Sequence, residues 1–151
     1  MTRSEEGAGC VFCAATESGD GRRLVVHESP LCYVILNLYP YNAGHVLVVP
    51  RRHVDSLSAL TRDELNDMAR LTQMAEQVLT EAFQPQGINV GMNLGRPAGA
   101  GIADHLHVHL VPRWTGDTNF MSVVGQVRVL PEELPRTADR LRPMFDRVEG
   151  A

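Results

Sequence analysis

Apolar residues between positions 62 and 83 recur with the period of an α-helix, and they predict the strongest helix of the chain. Thr61 followed by Glu64 has the spacing of a capping box, so the helix is expected to begin at Arg62. The breakers Pro85 and Gly87 end it. One face is predicted to pack against a core, and its residues are Leu65, Met68, Leu71, Ala75, Val78, Leu79 and Ala82.

Shorter apolar segments, bounded by turn-forming residues, predict strands. Three precede the long helix and two follow it, and they lie at 24–27, 31–37, 45–50, 88–93 and 106–112. Residues 115–130 are expected to be irregular to strand-like, and residues 131–148 to form a weaker helix interrupted by proline. Strands joined by short turns, then a helix, then strands again, predict an α+β fold with an antiparallel sheet and a helix on one face.

Length and composition favour a single globular domain. The chain has 151 residues, and we expect residues 1–9 to be a flexible tail and residues 10–151 to form the domain. With 14 basic and 18 acidic residues the formal net charge is -4, which argues against binding to a nucleic-acid polymer. No run approaches the ~18 apolar residues of a membrane span. The polar N-terminus also lacks the hydrophobic segment of a signal peptide, so we expect no membrane association and a cytoplasmic location.

Three of the chain's six histidines fall at alternate positions in the segment HLHVHLVPRW. In a strand, His105, His107 and His109 would share one exposed face, and the aliphatic residues between them would face the long helix. A polar surface that happens to be rich in histidine is one interpretation, and a metal held by neighbouring histidines is a second. The outer two would lie ~14 Å apart, however, so all three converge poorly on one ion. Neutral imidazole, with an unperturbed pKa of ~6.5, is also a good nucleophile, so attack on phosphorus is a third interpretation.

A second group of chemically active residues lies near the N-terminus, where Cys10 and Cys13 have the spacing of zinc ligands. The same pair alone also fits a redox site or two buried thiols. A redox site of this type favours a thioredoxin-like βαβ context, which the predicted elements do not contain. The chain has three cysteines, and an odd number makes a disulfide framework unfavourable.

The segment HLHVHLV resembles the signature of the histidine triad superfamily of nucleotide hydrolases and transferases, in which histidine alternates with apolar residues. The resemblance covers about residues 10 to 130 and continues in order through CVFC, LNLYPYNAGHVLVVPRRH, GINVGMNLGRPAGAG and PRW. The stretch WTGDTNFM is similar to a bacterial branch of dinucleoside polyphosphate hydrolases and phosphorylases. The resemblance implies a five-stranded antiparallel sheet with one long helix and a shorter C-terminal helix. Members of the family commonly form homodimers that join two sheets, and we expect the same here.

The resemblance also implies an activity. It indicates a nucleotidyl hydrolase or transferase that cleaves dinucleoside polyphosphates, such as diadenosine tetraphosphate, through a covalent nucleotidyl-histidine. The acceptor would be water or phosphate. A nucleoside phosphoramidate hydrolase is the alternative enzyme, and a nucleotide-binding module with vestigial activity is the alternative from another class.

Roles for individual residues follow from the same resemblance. His107 matches the nucleophile, and His109 matches the catalytic histidine close to the phosphate. The residues that match nucleotide or phosphate contacts are Asn37, His45, Asn93, Arg96, Gly99, Ala100, Gly101 and His109. Some branches carry Ser or Gln in the glycine-rich loop, whereas residues 98–102 here have no hydroxyl or amide side chain. Protonation of the leaving group is therefore left open.

In zinc-bearing members of the family, two histidines complete the site that begins with the cysteines. The resemblance therefore implies a structural zinc held by Cys10, Cys13, His53 and His105. On this interpretation the three alternating histidines have different tasks: His105 binds the metal, His107 attacks and His109 manages the phosphate.

Overall fold

An antiparallel sheet carries the fold in the computed structural model, which describes residues 9–17, 19–99, 105–117 and 132–151. The helices and strands, in chain order, are α1 (Val11–Ala14), β1 (Val25–Glu28), β2 (Cys32–Leu36), β3 (Val46–Pro50), α2 (Arg62–Phe83), β4 (Gly87–Gly91), β5 (Val108–Arg113) and α3 (Leu134–Glu149). The strand order is β1-β2-β3-β5-β4, and each neighbouring pair is antiparallel. α2 packs against β2, β3 and β5, and α3 packs beside α2 and against β1. The predicted α+β class, with five antiparallel strands, one long helix and a shorter C-terminal one, is confirmed.

The long helix has the predicted bounds because its first turn is capped as expected. The Thr61 side chain accepts a hydrogen bond from the Glu64 backbone N–H at 3.1 Å, and the Glu64 carboxylate accepts one from Thr61. The prediction that Leu65 faces the core is wrong, since it is 44% exposed. Glu64 takes the buried position instead, where Arg52 holds both of its carboxylate oxygens at 2.9 and 3.0 Å.

The last strand begins later than predicted. The structure starts β5 at Val108, so His105 and His107 precede the strand, and both are buried rather than on an exposed face. The chain leaves the sheet there because the backbone N–H of Leu106 donates to the Val54 carbonyl at 2.7 Å, outside the strand ladder. The aliphatic residues between the histidines do lie in the core, as predicted. His109 remains in the strand, between Leu47 of β3 and Gly91 of β4.

The C-terminal helix α3 is continuous although it contains Pro143. Proline removes one helical hydrogen bond, and the predicted interruption rested on that loss. Burial of Leu141 and Phe145 against the core outweighs it.

The predicted tail, most of the segment 115–130 and two loop positions, Ala100 and Gly101, lie outside the described residues. In the described part of the chain no helix has both the length and the apolar character needed to cross a bilayer.

Candidate functional site

Four potential metal ligands from three parts of the chain meet beside β3. The ligand atoms of Cys10, Cys13, His53 and His105 all lie within 4.8 Å of one another. Sγ of Cys10 is 3.3 Å from Nδ1 of His105, and Sγ of Cys13 is 3.4 Å from Nδ1 of His53 and 3.5 Å from Nδ1 of His105. These four residues are the set that the family resemblance implied, and they form what we call the Cys/His cluster.

The geometry of the Cys/His cluster fits a tetrahedral zinc ion. Zinc–sulfur and zinc–nitrogen bonds of ~2.3 and ~2.0 Å place the two donor atoms ~3.5 Å apart in a tetrahedron. The observed sulfur–nitrogen separations of 3.3 to 3.5 Å are close to that edge. Nε2 of His105 lies 2.7 Å from the Pro50 carbonyl, which can only accept, so Nε2 carries the proton. Nδ1 of His105 therefore keeps its lone pair for a metal, and Pro50 fixes the ring in the manner of an outer-shell partner.

Burial changes the ionisation of the Cys/His cluster. Burial, together with the neighbouring Cys10, raises the pKa of Cys13 to about 11. Burial also lowers the pKa of His105 below its ordinary value, against the opposing effect of the Pro50 carbonyl. Without a cation the site disfavours both a thiolate and an imidazolium. A divalent metal supplies the positive charge that thiolate ligands require, since metal binding displaces their protons.

His107 lies next to the Cys/His cluster with one ring nitrogen already engaged. Its Nδ1 is 2.8 Å from the backbone carbonyl of His105, in a buried contact. A carbonyl only accepts hydrogen bonds, so Nδ1 carries the proton. The neutral ring therefore has its lone pair on Nε2. His105 therefore has two roles. Its side chain belongs to the Cys/His cluster, and its backbone carbonyl fixes the tautomer of His107.

A second chain of contacts sets the tautomers of His45 and His109. The backbone N–H of Tyr41 donates to Nδ1 of His45 at 3.1 Å, so neutral His45 carries its proton on Nε2. That Nε2 lies 2.9 Å from Nδ1 of His109 and donates to it. Neutral His109 consequently carries its own proton on Nε2. The pair thus offers complementary groups, a lone pair on Nε2 of His107 and an N–H on Nε2 of His109, in rings whose centroids are 4.8 Å apart.

His109 is held in its neutral form by its surroundings. Burial lowers its pKa below the ordinary value, and the positive charge of a protonated His107 would lower it further. The Tyr41 ring lies nearly parallel to the His109 ring, with centroids 6.4 Å apart. At neutral pH the side chain is therefore a hydrogen-bond donor without a net charge.

Two residues that sequence reasoning missed hold the histidines in place. Phe12 of α1 contacts both His105 and His107, with ring centroids 5.5 and 5.0 Å away. Tyr33 of β2 donates its hydroxyl to the Phe12 backbone carbonyl at 2.6 Å. The one signal available in the sequence was the position of Phe12 between the two cysteines of CVFC. Only the fold brings that segment to the histidines.

A family model described as the HIT domain matches residues 19–116 of the chain. The chain belongs to the histidine triad (HIT) family. The matched segment holds all three alternating histidines, together with His45 and His53. Cys10, Cys13 and Phe12 precede it.

Named HIT relatives and solved structures resemble the chain over most of its length. It is 46% identical over 126 residues to the AP-4-A phosphorylase of Mycobacterium tuberculosis, which covers 83% of this chain and 65% of that protein. It is 31% identical over 128 residues to the bis(5'-adenosyl)-triphosphatase of Dictyostelium discoideum, covering 81% of this chain and 85% of that one. A histidine triad family protein of Mycobacterium smegmatis, described as Zn-bound, has a TM-score of 0.76 at 24% identity, over 95% of this chain and 98% of the other, which shows the fold. The chain thus spans just under two thirds of the length of the mycobacterial phosphorylase.

Asn37 is one of the residues expected to contact the nucleotide, and its side chain lies near His45. Asn37 follows β2, and its side-chain oxygen accepts a hydrogen bond from the Tyr39 backbone at 3.1 Å. Its amide nitrogen is 3.4 Å from the ring nitrogens of His45. The structure therefore places Asn37 at the histidine pair formed by His45 and His109.

The remaining suggested contacts belong to the segment after β4. Gly91, the last residue of β4, pairs with His109, so the segment leaves the sheet beside the triad. The side-chain nitrogen of Asn93 donates to the Gly99 carbonyl at 3.2 Å and closes the glycine-rich loop. Arg96 is exposed at the start of a short 3-10 turn. Ala100 and Gly101 lie beyond the described part of this loop.

Proposed function

We propose that the chain is an enzyme that cleaves dinucleoside polyphosphates of the diadenosine tetraphosphate type, with His107 as the nucleophile. The observation that carries the proposal is the 2.8 Å contact between Nδ1 of His107 and the His105 carbonyl. This contact keeps the proton on one nitrogen and leaves a lone pair on the other, which is what attack by an imidazole requires.

The reaction has two displacements at the α-phosphorus. In the first, Nε2 of His107 forms a phosphorus–nitrogen bond while the bond to the bridging oxygen breaks, and the leaving nucleotide takes that electron pair. The nucleotidyl ring then carries a positive charge, which the His105 carbonyl stabilises at Nδ1–H. In the second, an oxygen of water or inorganic phosphate attacks the same phosphorus, the phosphorus–nitrogen bond breaks, and Nε2 regains its lone pair. A proton carried by the attacking oxygen passes to solvent.

His109 supplies a hydrogen-bond donor to this reaction. Its neutral ring presents Nε2–H beside the attacking nitrogen, because His45 occupies Nδ1. A preorganised donor aimed at the phosphoryl oxygens stabilises the charge that builds there in the transition state. We assign Asn37, Asn93, Arg96 and the glycine-rich loop, including Gly99, Ala100 and Gly101, to contacts with the nucleotide and its phosphates.

The composition of the glycine-rich loop favours a phosphate leaving group over an amine. Residues 98–102 have no hydroxyl or amide side chain that would deliver a proton. A terminal phosphate has a second pKa of ~6 and leaves without full protonation near pH 7. An amine must be protonated to leave, so this loop is less suited to phosphoramidates.

We further propose that the Cys/His cluster binds one structural zinc ion. The ligands Cys10, Cys13, His53 and His105 have the identity and spacing of a closed tetrahedral site. When bound, zinc supplies folding energy and fixes the position of His105, and the phosphorus chemistry belongs to the chain's own histidines.

The relatives support the substrate class. The Mycobacterium tuberculosis protein is named an AP-4-A phosphorylase, and that of Dictyostelium discoideum a bis(5'-adenosyl)-triphosphatase. Both names describe dinucleoside polyphosphates with adenine bases, and the first describes phosphate as acceptor. At 46% identity to the phosphorylase, phosphate is the acceptor that we propose for this chain.

We propose that residues 10–151 act as one domain, located in the cytoplasm, and that two copies form a dimer through β4. This strand lies at one edge of the sheet and is mostly exposed, with Val90 53% exposed. A groove of about 530 Å³ runs between β4 and α2. The opposite edge strand, β1, is covered by α3, whose Arg142 donates to the Val25 carbonyl at 2.9 Å. An edge that the described residues leave uncovered favours pairing with another strand.

Two measurements test the proposed activity. A rapid quench in alkaline denaturant after mixing with labelled diadenosine tetraphosphate should trap adenylylated protein, because the phosphorus–nitrogen bond of a nucleotidyl-histidine survives base but not acid, and His107→Ala should trap none. Product analysis distinguishes the acceptors: ADP plus ATP, formed only with phosphate, indicates phosphorolysis, whereas AMP plus ATP indicates hydrolysis. If the wild-type protein forms neither adduct nor product, the proposal is wrong. The alternative, a nucleotide-binding module with vestigial activity, would then remain.

A further inference from the structure

Phe12 is placed between the Cys/His cluster and the proposed nucleophile. It lies in α1 between Cys10 and Cys13, and only 5% of it is exposed. Its ring meets the His105 ring edge-on, at 75°, and the His107 ring at a tilt of 51°. One aromatic side chain therefore contacts both a cluster ligand and the catalytic imidazole.

The backbone of Phe12 is fixed from the side of the sheet. The hydroxyl of Tyr33, which is fully buried in β2, donates to the Phe12 carbonyl. The two cysteines that flank Phe12 approach the imidazoles of His53 and His105. α1 has only four residues, too few to be stable alone, so these tertiary contacts determine where the Phe12 ring lies.

The contacts of His107 divide into two kinds. The His105 carbonyl selects the tautomer through Nδ1, but one hydrogen bond leaves the ring plane free to tilt about it. The rings of Phe12 and His109 contact the His107 ring, with centroids 5.0 and 4.8 Å away. They restrict that tilt, and hence the direction in which the Nε2 lone pair points.

We propose that Phe12 is a positioning residue for His107, through which the Cys/His cluster controls the orientation of the catalytic ring. The cluster fixes α1, α1 fixes the Phe12 ring, and that ring aligns the attacking nitrogen with phosphorus. The inference rests on the proposed function only in its kinetic consequence, because the orientation of the ring is measurable without substrate.

The test compares Phe12→Ala and Phe12→Leu with Val11→Ala, a matched control in the same helix whose side chain is 61% exposed. Each zinc-loaded protein is assayed for kcat and KM, for zinc per chain, and for the tautomer of His107 by nitrogen-15 NMR of the imidazoles. Phe12→Ala is expected to lower kcat by ~10–100-fold with little change in KM, since a small misplacement of a reacting group has that effect. Zinc should stay at one per chain, and the His107 ring should keep one tautomer while its signals shift and broaden, since the ring can tilt although the contact of Nδ1 with the His105 carbonyl remains. Phe12→Leu should lie between, and Val11→Ala should match wild type.

Two outcomes would overturn the inference. One is a Phe12→Ala protein with wild-type kcat and an unchanged His107 signal. The other is a parallel loss of zinc and activity, which would mean that Phe12 supports only the metal site. Tyr33→Phe decides the question if Phe12→Ala does not fold, because it removes the hydroxyl and keeps both rings: a lower kcat with zinc retained supports positioning, and an unchanged kcat excludes it. Failure of the proposed function is distinct, since it would appear as full activity in His107→Ala.

Discussion

Nε2 of His45 lies 2.9 Å from Nδ1 of His109, and the Tyr41 backbone N–H on the far side of His45 fixes the direction in which this hydrogen bond runs. A backbone amide thus determines, through two rings, that neutral His109 carries its proton on Nε2 and not on Nδ1. Protonation of His109 would place a second proton on Nδ1 and break the contact with His45.

The first prediction concerns the pH dependence of stability. Burial, and then His107, lower the pKa of His109 in the folded protein, whereas the unfolded chain titrates near its ordinary ~6.5. Between these two values the unfolded state holds more protons, so the free energy of unfolding falls as the pH falls below ~6.5. His109→Gln has no imidazole at this position, so it lacks this pH-dependent loss of stability. Urea unfolding of both proteins from about pH 5 to 8 should show a difference that is constant above ~6.5 and shifts in favour of the variant below it. Parallel curves throughout would contradict the prediction.

The second prediction separates the three alternating histidines. His107→Ala should lose at least ~10³ in turnover while it keeps zinc and its melting temperature, because only the nucleophile is removed. His105→Ala should lose zinc and melting temperature, and His109→Ala should keep zinc but form the adduct slowly. Zinc content, melting temperature and adduct yield on the three variants decide the matter. If His107→Ala lost zinc together with activity, a metal-catalysed reaction would replace the covalent one.

The third prediction concerns the cysteines. Cys10→Ser or Cys13→Ser should abolish tight zinc binding and lower the melting temperature, since metal binding contributes directly to the free energy of folding. Cys32→Ala is the control, because Cys32 is buried in the core and burial raises its pKa to about 12, far from thiolate character. It should keep one zinc per chain by elemental analysis, whatever its melting temperature. A chelator should destabilise wild type and Cys32→Ala, and have no further effect on Cys10→Ser. Wild-type protein purified without chelator and free of metal would count against the zinc site.

The fourth prediction concerns the residue before His45. Gly44 has a φ of +79°, and a Cβ there would lie 2.7 Å from Cε2 of Phe83. Gly44→Ala should lower the free energy of unfolding by about 2 kcal/mol or more, because a left-handed backbone and a clash combine. Gly87→Ala, where no heavy atom lies within 4 Å of the added Cβ, should change it far less. Chemical denaturation measures both, and equal effects would remove the steric explanation.

The fifth prediction tests the dimer. Val90→Lys places a charge on the exposed edge strand β4 and should convert the proposed dimer into a monomer in sedimentation equilibrium. Leu57→Lys is the control, since Leu57 is also exposed but lies in a turn away from the strands. Wild type that sediments as a monomer would exclude the proposed interface.

The elements that local sequence determines were predicted closely. The bounds of α2 follow from a capping box and a regular apolar period, and both act within a few residues. The start of β5 was missed because it depends on the Val54 carbonyl, far away in sequence, which draws Leu106 out of the ladder. Leu65 was placed wrongly because an ion pair between Glu64 and Arg52 outweighs the helical period.

The candidate site shows the same division. The residue types and spacing of Cys10, Cys13 and the triad were readable in the sequence, since the required chemistry restricts them. Their orientation was not, because it depends on backbone groups of Pro50, His105 and Tyr41 that any residue would supply. Side-chain identity indicates what a group can do, and only the folded backbone determines which nitrogen carries the proton.

The span of chain that the Cys/His cluster joins has a consequence for biosynthesis. Cys10 and His105 are 95 positions apart, and His53 lies between them. During translation, three of the four ligands leave the ribosome well before the fourth, so a nascent chain cannot complete the site until the segment that carries His107 has also emerged. Any zinc taken up earlier would be held by an incomplete set of ligands. For the proposed zinc site and the proposed nucleophile, final metal loading and assembly of the surroundings of His107 would therefore be one late step in the maturation of the protein.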